Sequence, residues 1–306
     1  MVIDFLPGET EGVFLRKAGG APANVAIAIA RQGCDSAFCG MMGDDDFGRF
    51  LLDTLKQNNV KVVNEKLTDK AVTTMAFVTL TEDGDRSFTF ARKPGADMFL
   101  NKADLDHPYF DEAGLVHAGS CSLSAGDAAE ATVYALEEAH RRGKLVSFDV
   151  NYRNLMWNDD RDAATQAVVN ILPYVDILKI SEEEVDMLGG EENLQAAMKE
   201  YDIAVIVLTL GSAGVRCYWQ DQVMDLPGIR TTCVDATGAG DAFFGGFLSS
   251  LLQSEVDSAD KFTKDILVNA IRTGNISGCL CVQKKGAIES LPYIEDVERY
   301  RKEIYG

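Results

Sequence analysis

Short apolar runs rich in β-branched residues alternate along this chain with amphipathic helical patterns, and that order restricts it to a parallel sheet covered by helices. GLVHAGS around Val116, LVSFDV at 145–150, VDILKI at 175–180 and IAVIVLTL at 203–210 read as buried strands. Between them, SAGDAAEATVYALEEAHRRG and DDRDAATQAVVNIL read as helices. PANVAIAIARQG at 22–33 reads as a largely buried helix, started by Pro22 and stopped by Gly33. One stretch breaks the rhythm. VTTMAFVTL and DRSFTFAR alternate apolar and polar residues across Glu82-Asp83-Gly84-Asp85, the pattern of a β-hairpin. A hairpin does not insert easily in a parallel sheet, so it is expected as a small β-sheet lid, joined by residues near Val13–Lys17. The expected organisation is one α/β domain over residues 1–306, with the lid formed by segments about 8–18 and 60–98 inserted in it.

Composition removes several function classes. The net charge of −19 over 306 residues repels nucleic acid and anionic membranes. Any polyanionic ligand must then be held in a local pocket of backbone N–H groups, basic side chains or Mg²⁺, which directs attention to glycine-rich loops. No window approaches the roughly 18 unbroken apolar residues of a membrane span. Met1-Val-Ile-Asp-Phe-Leu-Pro has neither the basic start nor the apolar core of a signal peptide, so a cytoplasmic protein is expected. The seven cysteines (34, 39, 121, 217, 233, 279 and 281) are odd in number and contain no C-x-x-C pair, which indicates neither a disulfide framework nor a zinc knuckle.

The most informative segment is Val234-Asp-Ala-Thr-Gly-Ala-Gly-Asp-Ala-Phe-Phe-Gly-Gly-Phe-Leu. A short β-like run, IRTTCVD, is expected to meet a Gly-Ala-Gly turn and then a strongly apolar helix. Gly238 and Gly240 allow close backbone approach, and the N–H groups of 238–241 at a helix N-terminus can converge on a phosphate. Asp241 would sit beside that anion. A carboxylate there is electrostatically costly unless it accepts a proton from an attacking hydroxyl. The alternative is that Asp241 simply caps the helix. A dinucleotide fingerprint is disfavoured because its third glycine would fall at Phe243 and the motif comes late in the chain; no G-x-x-x-x-G-K-[ST] run occurs.

DATGAGDAFFGGF resembles the second signature of the ribokinase/PfkB carbohydrate kinase family, with Ala236 in place of its usual threonine, and GGAPANVAIAIARQG followed by GMMGDDDFG resembles the first. The resemblance runs nearly end to end and is greatest toward fructokinases. It implies a ribokinase-like α/β fold, with a central mostly parallel sheet flanked by helices, and transfer of the ATP γ-phosphoryl group to a sugar hydroxyl. Under it, the backbone of Gly238, Ala239 and Gly240 forms an anion hole and Asp241 is the catalytic base. Asp4, Gly20 and Asn24 match sugar contacts. Arg92, in FARKPGADMFL, would reach the sugar or the transferred phosphate, and Asn151 and Arg153, in FDVNYR, resemble a ligand-binding strand end, with Val150 replacing a proline. His117 resembles a residue near the sugar cleft.

On the nucleotide side the resemblance points to Lys179 and Glu184, with Ser181 where many members have Asn, then to Thr209, Gly211 and Gly214 in TLGSAG, and to Asn275. Asp235, Thr237, Gly286 and Ser290 resemble loops that hold a monovalent cation, mostly through carbonyl oxygens, so K⁺ joins ATP and Mg²⁺ as an implied cofactor. The sugar is expected to be D-fructose, phosphorylated at the 6-hydroxyl. The alternatives are another sugar such as 2-keto-3-deoxygluconate or ribose, or a sugar- or nucleotide-sensing protein without turnover. An exposed lid edge would also invite a homodimer through the lid.

Overall fold

The computed structural model describes residues 1–10, 12–80 and 86–306. In chain order, strands β1 (Val2–Pro7) and β2 (Phe14–Gly19) lead into helix α1 (Ala21–Arg31). Short strands β3 (Ala37–Phe38) and β4 (Met42–Gly43), helix α2 (Asp46–Gln57) and strands β5 (Lys61–Val62) and β6 (Leu67–Thr68) follow, then β7 (Met75–Leu80) and β8 (Arg86–Ala91). The remainder alternates: α3 (Pro108–Glu112), β9 (Leu115–Gly119), α4 (Asp127–Arg141), β10 (Leu145–Asp149), α5 (Arg161–Ile171), β11 (Ile177–Ser181), α6 (Leu194–Glu200) and β12 (Val205–Thr209). A hairpin, β13 (Gly214–Trp219) and β14 (Gln222–Pro227), precedes α7 (Ala239–Gln253), α8 (Lys264–Cys281) and α9 (Ile294–Tyr305).

Two sheets organise these elements. The main one has the order β14-β13-β12-β11-β10-β9, parallel from β9 to β12 and antiparallel through β13 and β14. The smaller has the order β2-β1-β7-β8. The parity of the central strands explains why they read as continuous apolar runs. Val146 and Phe148, Leu178 and Ile180, and Ile206 and Leu208 point to one core with α4, α5 and α6. Leu145, Ile177, Val205 and Val207 point to the other, against Phe243, Phe244 and Phe247 of α7. A sheet covered on both faces selects such strands.

Helix α7 is buried from Asp241 to Leu251 because α1 and α8 both pack against it. Glycines make this possible: a Cβ on Gly245 would lie 2.4 Å from the Cβ of Ala28 in α1, and one on Gly246 would lie 2.4 Å from Ser277 Oγ in α8.

The lid differs from its expected boundaries of about 8–18 and 60–98. Val2–Pro7 lies inside the lid sheet, paired antiparallel to β2 and parallel to β7, while the strands within residues 60–74 form the short β3·β5 and β4·β6 pairs outside it. A six-residue apolar strand looks the same in either sheet; only its partners separate them. The expected hairpin pairs as β7·β8, and its turn at Glu82-Asp83-Gly84-Asp85 lies outside the described residues. IRTTCVD is not a strand: the amides of Val234 and Asp235 both converge on the Val282 carbonyl, at 2.7 and 3.2 Å, which no ladder would produce. Among the described residues no helix is long and apolar enough to cross a membrane.

The close approach at Gly245 gives a stability prediction. Gly245→Val must push α1 from α7, and urea unfolding should show a loss of about 1–3 kcal/mol; an unchanged midpoint would mean the helices can separate freely.

Candidate active site

A cavity of about 1260 Å³ opens at the junction of the lid, α1 and the main sheet. Asp4, Gly20, Asn24, Asn151, Arg153, Gly238 and Asp241 all border it. Residues from four separate chain segments thus converge on the cavity, including most of those expected to hold a sugar.

Helix α7 supplies the centre. Gly238 precedes it with φ +80°, and a Cβ there would lie 3.1 Å from the Ala287 Cα, so both backbone conformation and space require glycine. Asp241 is the third residue of the helix and does not cap it. Its Oδ2 instead accepts the Asn24 Nδ2 of α1 at 2.7 Å. Asp241 is 9% exposed, and its pKa is pushed up to about 6, first by burial and then by the Asp149 charge, against the Asn24 hydrogen bond and the Lys179 and Arg153 cations.

The helix terminus presents amides to the same place. Gly238, Gly240 and Asp241 N–H find no acceptor among the described residues, as expected of a first helical turn. Ala239 departs from expectation: its N–H donates to the Ala236 carbonyl at 3.1 Å, closing the turn, so the open donors are Gly238, Gly240 and Asp241. Beneath Gly240, whose missing Cβ would lie 3.6 Å away, sits the Lys179 ammonium. It is 2.9 Å from both oxygens of Asp149, and the pair is almost fully buried. Burial works against the ammonium, yet Asp149, Glu184 and Asp241 together hold its pKa above the ordinary lysine value. Strand parity explains the meeting, since Ser147, Asp149 and Lys179 share the sheet face that α7 covers.

On the sugar side, Asn24 is 4% exposed and its Oδ1 is buried with no partner, an orphaned acceptor beside the cavity. Gly20, φ +111°, starts α1. Asp4 on β1 titrates at about 6 because of burial and the Glu289 charge, relieved partly by the chain's amino group. Asn151 has φ +35° and its carbonyl accepts the Ser120 hydroxyl at 3.3 Å. Arg153 is exposed, with Nη1 on the Tyr152 carbonyl at 3.0 Å.

Arg92 lies one side chain back from the cavity. Its guanidinium is held by Asp97, at 2.9 Å from Nε and 2.8 Å from Nη2, and by Ser124 at 3.1 Å, and it does not border the cavity. Asp97 does, and sequence reasoning missed it. Its one signal was a lone acid in an apolar segment five residues after an arginine. His117 lines the cavity with Nδ1 3.0 Å from Ser147 Oγ and its ring edge-on to Phe244; burial pushes its pKa down to about 4, so it is neutral.

Of the residues expected to hold nucleotide, Lys179 sits beneath Gly240, and Glu184, Thr209, Gly211, Gly214 and Asn275 do not line the cavity. Glu184 is buried, with one oxygen accepting the Tyr152 amide at 2.7 Å and the other the Ser181 amide at 2.9 Å. Thr209 ends β12, and Gly211 and Gly214 turn the chain into β13. Asn275 Nδ2 donates to the Pro227 carbonyl at 3.2 Å, and Gly228 N–H to the Ala213 carbonyl at 3.0 Å, so α8, the end of β14 and this turn meet at one place.

The loops at 235–237 and 286–290 also face each other. Asp235 accepts the Thr237 amide and hydroxyl on one oxygen, at 3.0 and 2.7 Å, and the Gly286 amide on the other, at 3.0 Å. Ser290 Oγ donates to the Gly286 and Ala287 carbonyls. The Asp235 carboxylate thus ties the two loops together. Among the described residues no three His, Cys, Asp or Glu side chains cluster as metal ligands.

Comparison with known proteins identifies the family. The pattern of the pfkB family carbohydrate kinases matches residues 8–294. Fructokinase-2 of Zea mays is 38% identical over 305 residues, covering 96% of this chain and 90% of the relative. The crystal structure of a Xylella fastidiosa fructokinase with bound ATP superposes with a TM-score of 0.92 at 31% identity, covering 100% of this chain and 97% of the other. A Vibrio cholerae O395 fructokinase with fructose, ADP and calcium gives 0.87 at 33%, covering 98% and 96%. With its signature helix, cavity and ribokinase-like sheet order in place over almost the whole length, the chain belongs to the pfkB family of carbohydrate kinases.

Proposed function

We propose that this chain is an ATP-dependent fructokinase that phosphorylates D-fructose at the 6-hydroxyl. The observation that carries the reading is the buried Asp241 carboxylate, oriented by Asn24 at the cavity wall, at a helix terminus where the Gly238, Gly240 and Asp241 amides are open. Fructose as acceptor is supported by the fructokinases to which the chain is similar along its length.

In this mechanism the sugar enters the cavity and its hydroxyls bond to the Asn24 Oδ1 and to Asp4, groups with no protein partner of their own among the described residues. A sugar lacking the matching hydroxyl leaves these polar atoms unpaired, which is the source of selectivity. Asp241 takes the proton from the attacking hydroxyl. The amides of Gly238, Gly240 and Asp241 stabilise charge on the transferred group, with the Lys179 ammonium beneath them. ATP would lie along Thr209, Gly211, Gly214 and Asn275, its phosphates running toward the α7 terminus. Mg²⁺, entering with ATP, would supply neutralisation of phosphate charge. Asp149 and Glu184 are already committed to Lys179 and to two amides, which fits an ion held mainly by phosphates and water. K⁺ between the 235–237 and 286–290 loops would fix the approach to Gly238, and a cytoplasmic setting, where ATP is held, belongs to the same reading.

The lid carries a further part of the proposal. β2 is an edge strand, and Val13, Phe14 and Leu15 at its start are 47%, 43% and 49% exposed. Apolar residues on an unpaired strand edge suit a second copy of the lid.

Five measurements test this reading. With Mg-ATP in a coupled assay, fructose should give the highest kcat/KM among fructose, glucose, ribose and 2-keto-3-deoxygluconate; binding without turnover of any would favour a sensing protein. Asp241→Asn should lose about 10²–10⁴-fold in kcat. That variant should be no less stable than wild type at pH 8. A carboxyl whose folded pKa is raised stabilises the fold at low pH and loses that contribution as pH rises through about 6, so the ionised group is a burden that Asn lacks. For the same reason kcat/KM should fall as pH drops through about 6, where the base becomes protonated; a flat profile from pH 7 to 5 would contradict the assignment. Finally, Phe14→Glu should shift sedimentation from dimer to monomer, and a wild-type monomer would refute lid pairing.

A further inference from the structure

Strand β2 pairs with β1 so that Lys17 stands directly opposite Asp4. Cross-strand partners share a sheet face, and an opposite-charge pair in that position normally joins. Here it does not: Lys17 Nζ bonds to Glu289 Oε1 at 2.8 Å, and the Asp4 carboxylate has no hydrogen bond or ion pair among the described residues. We propose that Glu289 is a positioning residue for the sugar pocket, which draws the Lys17 ammonium away and so keeps the Asp4 carboxylate open to a sugar hydroxyl. The inference rests on the reading of Asp4 as a sugar contact.

The surroundings make Glu289 suited to this. It lies in the loop between Gly286 and Ser290, where the Arg31 Nη1 of α1 clamps the Ile288 and Leu291 carbonyls at 2.7 Å each, so the loop is fixed relative to the helix that carries Asn24. The Glu289 side chain folds back over Gly286, where a Cβ would meet its Oε2 at 2.8 Å. Asp4 borders the cavity, and neither Lys17 nor Glu289 does. Whatever these two do for the sugar, they do through Asp4. The groups facing Asp4 are Glu289, the chain's amino group and, across the strand, Lys17; the Glu289 charge also contributes to the raised pKa of Asp4. The geometry has a second consequence: the loop that closes on Asp235 and the lid strand that borders the sugar pocket are tied by one ion pair.

A double-mutant cycle on the full-length enzyme tests this, with fructose and Mg-ATP as probes. Glu289→Gln frees Lys17 to pair with Asp4, so the KM for fructose should rise about three- to tenfold while kcat stays within twofold and the KM for ATP is unchanged. Lys17→Met leaves Asp4 unpaired and should keep the fructose KM within twofold of wild type. Adding Lys17→Met to Glu289→Gln should restore the fructose KM, because no lysine remains to occupy the carboxylate. An unchanged KM in Glu289→Gln, or a rise that persists in the double variant, overturns the proposal. Asp4→Asn separates the two levels. If it raises the fructose KM and Glu289→Gln does not, the role of Glu289 alone is wrong; if Asp4→Asn has no effect, the sugar role of Asp4 falls, and this inference with it.

Discussion

A buried carboxylate that accepts one hydrogen bond, from the neutral Asn24 amide, among the described residues is the constraint around which the rest of the site is arranged. Asp241 projects from the first turn of a helix that is buried along nearly its whole length, and its hydrogen bond comes from Asn24 on another buried helix. Both helices must be fixed for that bond to exist, and both are fixed by the same device, glycines that let α1 and α8 approach α7 to backbone distance. The phenylalanines on α7 then fill the space beneath the sheet. Core packing and site geometry are therefore one problem in this fold: moving α7 to relieve a clash moves the carboxylate.

The charges below the helix complete the arrangement. Lys179 and Asp149 form a buried pair, with Glu184 and Asp241 close enough to influence the ammonium. One buried cation thus serves several acids, and its pairing with Asp149 offsets desolvation that neither could bear alone. The amides of Gly238, Gly240 and Asp241 are left without an acceptor among the described residues, and unsatisfied donors at a helix N-terminus are where a phosphate is most easily accommodated.

Much of this was legible in the sequence because the relevant signals are local. Strand and helix alternation, Pro22 at the start of α1, and the Gly-Ala-Gly turn before an all-apolar helix each need only a few neighbouring residues. What escaped depended on distant partners. Val2–Pro7 reads as a strand in either sheet, and its place in the lid is decided by β2 and β7. Arg92 carries the same charge whether it meets a ligand or Asp97, and only the fold brings Asp97 and Ser124 to it. The loss of Ala239 as an open donor follows from one turn hydrogen bond to Ala236, which a pattern of residue types does not encode. Likewise, β-branched residues in IRTTCVD suggested a strand, but the segment runs against the Val282 carbonyl instead of a neighbouring ladder.

The burial of Asp241 would also set the timing of the proposed catalytic cycle. Asp241 is 9% exposed and borders the cavity, so a proton it accepted from the sugar would leave by the mouth of that cavity. While product filled the cavity, that exit would be blocked. In the proposed reaction, resetting the base is therefore tied to the departure of what the enzyme has made, so egress and deprotonation share a single gate.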